Sequence, residues 1–97
     1  MKLFKSVDEK LKDLGFVKLD TEDKFGVSYI RAVTTKHGKS YFHRLDILYK
    51  ANGNHLIQSY QEDMNSDGFN NMVGLNYKIA KLAMRKYRQL KRKYKWE

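Results

Sequence analysis

The chain has 97 residues and a formal net charge of +9, with 32% charged and 41% hydrophobic residues and neither cysteine nor proline. A chain of this length makes one domain that buries about 60–65% of the surface its unfolded form exposes, enough for a single core and little more. Disulfides, zinc-thiolate sites and a cysteine nucleophile are excluded, and an aromatic content of 13% argues against disorder.

The opening stretch MKLFKSVDEKLKDLGF is broken by Lys5, Asp8, Glu9 and Lys10, so it has no apolar run of signal-peptide length. No stretch approaches the 18 apolar residues of a membrane span. The expected location is the cytoplasm. SVDEKLKDLGF reads as a short helix with Ser6 as N-cap, Glu9 completing a capping box, Val7, Leu11 and Leu14 as the apolar stripe, and Gly15 as its stop.

Three strands are predicted next, at 25–35, 40–50 and 55–61, each rich in β-branched and aromatic residues. Asn52-Gly53 signals a two-residue type I′ turn, and His37-Gly38 is a weaker version of the same signal. Two-residue loops would place Ile30, Ala32, Leu45, Ile47, Tyr49, Leu56 and Tyr60 on one face, packed against the helices. The other face would carry Val27, Tyr29, Arg31, Val33, Phe42, Arg44, Asp46, Leu48 and Ile57. Arg31 and Arg44 would then lie directly opposite each other, where like charges repel unless an anion sits between them.

The stretch DMNSDGFNN, Asp63 to Asn71, spaces Asp63, Asn65, Asp67 and Gly68 like the start of a calcium loop. Such a loop needs a bidentate Glu at its twelfth position. Gly74 stands there, so a connection rich in Asx turns is expected instead, without metal.

The last element is a long helix from Tyr77 to Tyr94, with Asn76 as N-cap and Leu75 as the staple residue before it. The predicted fold is therefore α+β in the order α-β-β-β-α, a three-stranded antiparallel meander packed against two helices. On the helical wheel Ile79, Ala83, Leu90 and Tyr94 form a narrow apolar stripe. Lys78, Lys81, Arg85, Arg88, Lys91, Arg92 and Lys95 share an opposite arc of roughly 140°. Only Lys86 and Lys93 fall elsewhere, near the apolar edge. Residues 78–97 carry a net +8 of the total +9.

Solvated helices usually mix signs, because like charges at i,i+4 repel; Lys81–Arg85, Arg88–Arg92 and Lys91–Lys95 are all like pairs. The dipole favours cations near the helix C-terminus, which leaves Lys78 and Lys81 unexplained. The face is read either as a plain solvated surface or as the site of an anionic partner, and for a partner two classes fit. One is nucleic acid, bound with counterion release, with Arg31 and Arg44 beside Tyr29 and Phe42 as a second contact region. The other is an acidic protein groove, as a module inhibiting a host or defence factor would use. Insertion into an anionic membrane is not expected, since the core needs the apolar stripe. No catalytic constellation appears: His37, His43 and His55 have no metal-ligand spacing, and there is no nucleophile motif or phosphate loop. The chain is not expected to be an enzyme or to carry a cofactor.

From Gly53 to Ala83 the chain resembles an uncharacterised family of small phage and prophage proteins of Gram-positive bacteria, in HLIQSY (55–60), in FNN-VGL (69–75) and in the amphipathic helix that follows. LGF at 14–16 and FGVSY at 25–29 fit the same pattern. The resemblance implies a cytoplasmic, phage-related accessory protein. The element order is also similar to that of the double-stranded-RNA-binding domain, which would put Lys78, Lys81, Arg85 and the loop at His37 near RNA. The Gly-Pro-x-His loop of that family is absent.

Overall fold

Ser6 and Asn76 cap the two helices as the sequence predicts. The Ser6 hydroxyl accepts from the Glu9 amide at 3.1 Å and starts α1, Val7–Asp13. The Asn76 side chain accepts from the Ile79 amide at 2.8 Å and starts α2, Tyr77–Lys93. The computed structural model describes residues 4–50, 52–62 and 71–97. The fold is α+β, with both helices on one face of an antiparallel sheet. Among the described residues no helix is long and apolar enough to cross a membrane.

Among the described residues the sheet has five strands, not three: β1 Val17–Lys18, β2 Gly26–Thr34, β3 Ser40–Tyr49, β4 His55–Glu62 and β5 Asn71–Met72, neighbours in that order. The three long strands match the predicted spans closely. The two-residue strands at the edges carry no periodic pattern to read. The Asx-rich connection expected from Asp63 to Gly68 lies outside the described residues.

Both long hairpins turn differently from the expected type I′ geometry. The Thr35 amide donates to the Lys39 carbonyl at 2.8 Å, leaving three residues between them, and Gly38 sits at φ +80°. The Lys50 amide donates to the Asn54 carbonyl at 2.9 Å, again across three residues, with Gly53 at φ +86°. A left-handed glycine ending a three-residue loop is the next commonest hairpin solution.

The extra residue in each loop shifts register by one and turns β2 and β4 over relative to β3. Val27 and Tyr29 therefore pair with Ile47 and Leu45, and all four are buried under the helices. Ile57 pairs with Ile47 on that same face. Ile30, expected in the core, instead pairs with Arg44 on the open face, as does Tyr60. Leu45, Ile47 and Tyr49 face the helices as expected. Burying each such large side chain contributes roughly 1.5–3 kcal/mol.

Both helices end in Schellman turns. For α1 the Phe16 amide donates to the Leu11 carbonyl at 3.0 Å and the Gly15 amide to the Lys12 carbonyl at 2.9 Å. This sets Phe16 beside Leu11 in the core. For α2 the Trp96 amide donates to the Lys91 carbonyl at 3.0 Å, with Lys95 in the left-handed region at φ 55°. The chain thereby folds back and buries Trp96, whose ring stacks on Tyr49 with centroids 5.4 Å apart. The indole N–H donates to the Lys24 carbonyl at 2.8 Å, tying the end of α2 to the connection between β1 and β2.

Gly26, the first residue of β2, is held at φ +126°, and a Cβ there would lie 2.0 Å from the Ile47 carbonyl oxygen. Backbone strain and the clash act together, so Gly26→Ala should lose about 3 kcal/mol or more of stability. Urea unfolding would measure this, and a loss below about 1 kcal/mol would show that β2 and β3 part easily here.

Candidate nucleic-acid interface

α2 carries two kinds of lysine and arginine. Its buried stripe is Ile79, Leu82, Ala83, Lys86 and Leu90, and Leu75 before it packs against the same core. Lys86 is thus part of the buried face, at 6% exposure. Its ammonium lies 2.8 Å from Glu22 Oε1 and 3.2 Å from Asp8 Oδ1. Lys18 joins them from β1, 2.7 Å from Asp8 Oδ2 and 3.5 Å from Glu22 Oε1. Lys93 reaches Glu22 Oε2 at 3.1 Å. The buried Tyr29 hydroxyl donates to Asp8 Oδ1.

Three lysines, two carboxylates and one phenol therefore form a single network across α1, β1, the β1–β2 connection, β2 and α2. Burial alone would raise the Asp8 carboxyl. The hydrogen bonds from Lys18 and Tyr29 and the charge of Lys86 outweigh it and hold the group below its ordinary 3.8. Burial likewise pushes Glu22 up, and hydrogen bonds from Lys86 and Lys93 bring it below 4.5.

The other seven cations, Lys78, Lys81, Arg85, Arg88, Lys91, Arg92 and Lys95, are all exposed. Among the described residues none of them forms an ion pair with a carboxylate. The described ion pairs draw carboxylates elsewhere: Asp13 to Lys5, Asp8 and Glu22 to the network, Asp46 and Glu62 to Arg44. From Lys78 to Arg92 the row runs about 21 Å along the helix. The sequence pattern marks Lys86 and Lys93 as exceptions to the cationic arc, and these are the two that hold internal acids. Asp8 and Glu22 give no such sign, because nothing local identifies their distant partners.

Arg31 and Arg44 do not join this face, and they are not opposite each other. Arg31 pairs with His43 on the helix side of the sheet. Its Nε donates to His43 Nδ1 at 3.1 Å, its Nη1 donates to the Leu14 carbonyl at 3.3 Å, and its guanidinium lies 4.8 Å over the Phe16 ring. The bond from Arg31 leaves the proton on His43 Nε2, which donates to Ser59 Oγ at 2.7 Å. Burial, then the Arg31 charge, lowers the His43 pKa. Arg44 lies on the open face, with Nε 3.0 Å from Asp46 Oδ1 and Nη1 3.6 Å from Glu62. The Tyr60 hydroxyl completes that cluster by donating to Asp46 Oδ2 at 3.0 Å. Tyr29, expected to be available for stacking, is in the core; Phe42 is exposed on the open face. The cause of both differences is the one-residue register shift.

No family model, curated protein or solved structure matches the chain.

The network and His43 set how stability responds to acid. Above pH 6.5 His43, Asp8 and Glu22 hold the same charge folded and unfolded. As pH falls through 6.5 the unfolded histidine binds a proton while the folded one resists, so stability declines. Through 4.5 and then 3.8 the unfolded Glu22 and Asp8 protonate before their folded counterparts, and the decline steepens. Urea midpoints taken across this range should show both stages. In Lys86→Met the second stage should be shallower, because the acids lose a partner that lowers their pKa. An unchanged slope in that variant would remove Lys86 from the network.

Proposed function

We propose that this chain is a small, non-enzymatic, phage-type accessory protein of the cytoplasm that binds nucleic acid through the exposed face of α2. The phage assignment rests on the resemblance in residues 53–83. The binding assignment rests on one observation: Asp8, Asp13, Glu22, Asp46 and Glu62 pair with cations away from that face, and six cations on α2, with Lys95 just past its end, have no acidic partner among the described residues. Like charges this close cost a few tenths of a kcal/mol per i,i+4 pair in the free protein. A polyanion reverses that cost and gains entropy by shedding its condensed counterions.

The face is rigid because its opposite side is core. Ile79, Leu82, Ala83 and Leu90 fix the helix on the sheet, and the Trp96 turn fixes its end. Lys78 to Arg92 are thus presented in one row, at a spacing set by the helix, and Lys95 follows in the turn past its end. Contacts of this kind position a phosphate backbone without reading sequence.

The combined variant Lys81→Glu, Arg85→Glu, Arg88→Glu tests this. It should lose nearly all binding to random DNA or RNA while melting like the parent, since all three side chains are exposed. For the parent, log affinity should fall steeply with log salt, each phosphate contact contributing about 0.7–0.9 to the slope. A parent without salt-dependent binding would refute the proposal. Capture of an acidic host protein by the parent and not by the variant would then assign the face to protein recognition.

A further inference from the structure

The cationic face is not uniform. At its N-terminal end a recess of about 270 Å³ opens between α1 and α2, lined by Lys10, Tyr77, Lys78, Lys81, Leu82 and Arg85. Four of these six are cations, and no acid lines the recess. Tyr77 is 78% exposed, although it is a large aromatic beside the apolar Leu82. Its ring does no packing work that would explain it, and among the described residues its hydroxyl has no partner. Lys81 Nζ sits 5.2 Å from the ring centroid. A flat π surface therefore lies open, with positive charge on its rim.

We infer that this recess holds one unstacked nucleobase on the Tyr77 ring, with the flanking phosphates on Lys10, Lys78, Lys81 and Arg85, so that the protein prefers single strands to duplex. The inference rests on the reading of α2 as a nucleic-acid interface and narrows its ligand. Base–aromatic stacking needs a base whose face is free, which a duplex does not offer without unstacking. Phosphates alone would need the cations and not the ring. The recess is smaller than the roughly 300–1,000 Å³ of sites that enclose a drug-sized ligand. It suits one ring system rather than a run of them. The remaining cations, Arg88 to Lys95, then follow the backbone away from the anchored base.

The test compares binding of an oligothymidine, an abasic oligomer of the same length and a short duplex at one salt concentration. Tyr77→Ala should weaken oligothymidine binding about 5- to 150-fold, the range expected for one lost stacking contact. It should leave abasic and duplex binding unchanged, and Tyr77→Phe should behave like the parent. For the parent, removing the bases from the ligand should cost the same factor, a readout that needs no protein variant. If Tyr77→Ala weakens all three ligands equally, or none, the inference is overturned while the cationic face stands. If the parent binds none of the three, the reading of α2 fails and this inference falls with it.

Discussion

The ammonium of Lys86, buried between Asp8 and Glu22, is the contact on which the rest of the structure depends. A buried charge without partners costs several kcal/mol, so α2 can lie on the sheet only where both carboxylates meet it. One comes from the first turn of α1 and the other from the connection between β1 and β2. Lys18 and Tyr29 hold Asp8 in turn. The apolar stripe of α2 fixes which side is buried, and the network fixes where along the sheet it sits. Replacing Lys86 by a leucine would keep the first constraint and lose the second.

The same arrangement sorts the charges. Asp8, Asp13, Glu22, Asp46 and Glu62 are drawn inward or sideways to particular lysines and to Arg44. What remains outward on α2 is almost purely positive. The cationic face is thus a by-product of how the core is assembled as well as of the helix sequence. A chain with its acids distributed over α2 would have the same net charge and no such face.

Much of this was legible in the sequence. Ser6, Gly15 and Asn76 mark helix ends because capping is a local matter of one side chain and a neighbouring amide or carbonyl. The three long strands show because their composition is sustained. The register was not legible. Asn52-Gly53 and His37-Gly38 fit a two-residue and a three-residue turn equally well, and the choice inverts which face Tyr29, Ile30 and Tyr60 occupy. Buried Tyr29 and His43 with hydrogen-bond partners favour the longer loops, but those partners are separated from them by many residues. For the same reason the cationic face was readable from helical spacing, whereas Asp8, which meets Lys86 across 78 positions, was not. Trp96 lies past the last full turn, and only the left-handed Lys95 brings it back to the core.

That last feature gives the molecule a built-in optical reporter. The chain has one tryptophan, and it is enclosed by Tyr49, His55 and Tyr87 at the far end of a seventeen-residue helix from Tyr77. Its emission responds to the docking of the helix terminus, while a ligand at the opposite end, about 25 Å away, leaves the indole's surroundings intact. A ligand confined to the Tyr77 recess and one that runs on to Lys95, next to the indole, are therefore spectroscopically distinguishable in this protein, without any added label.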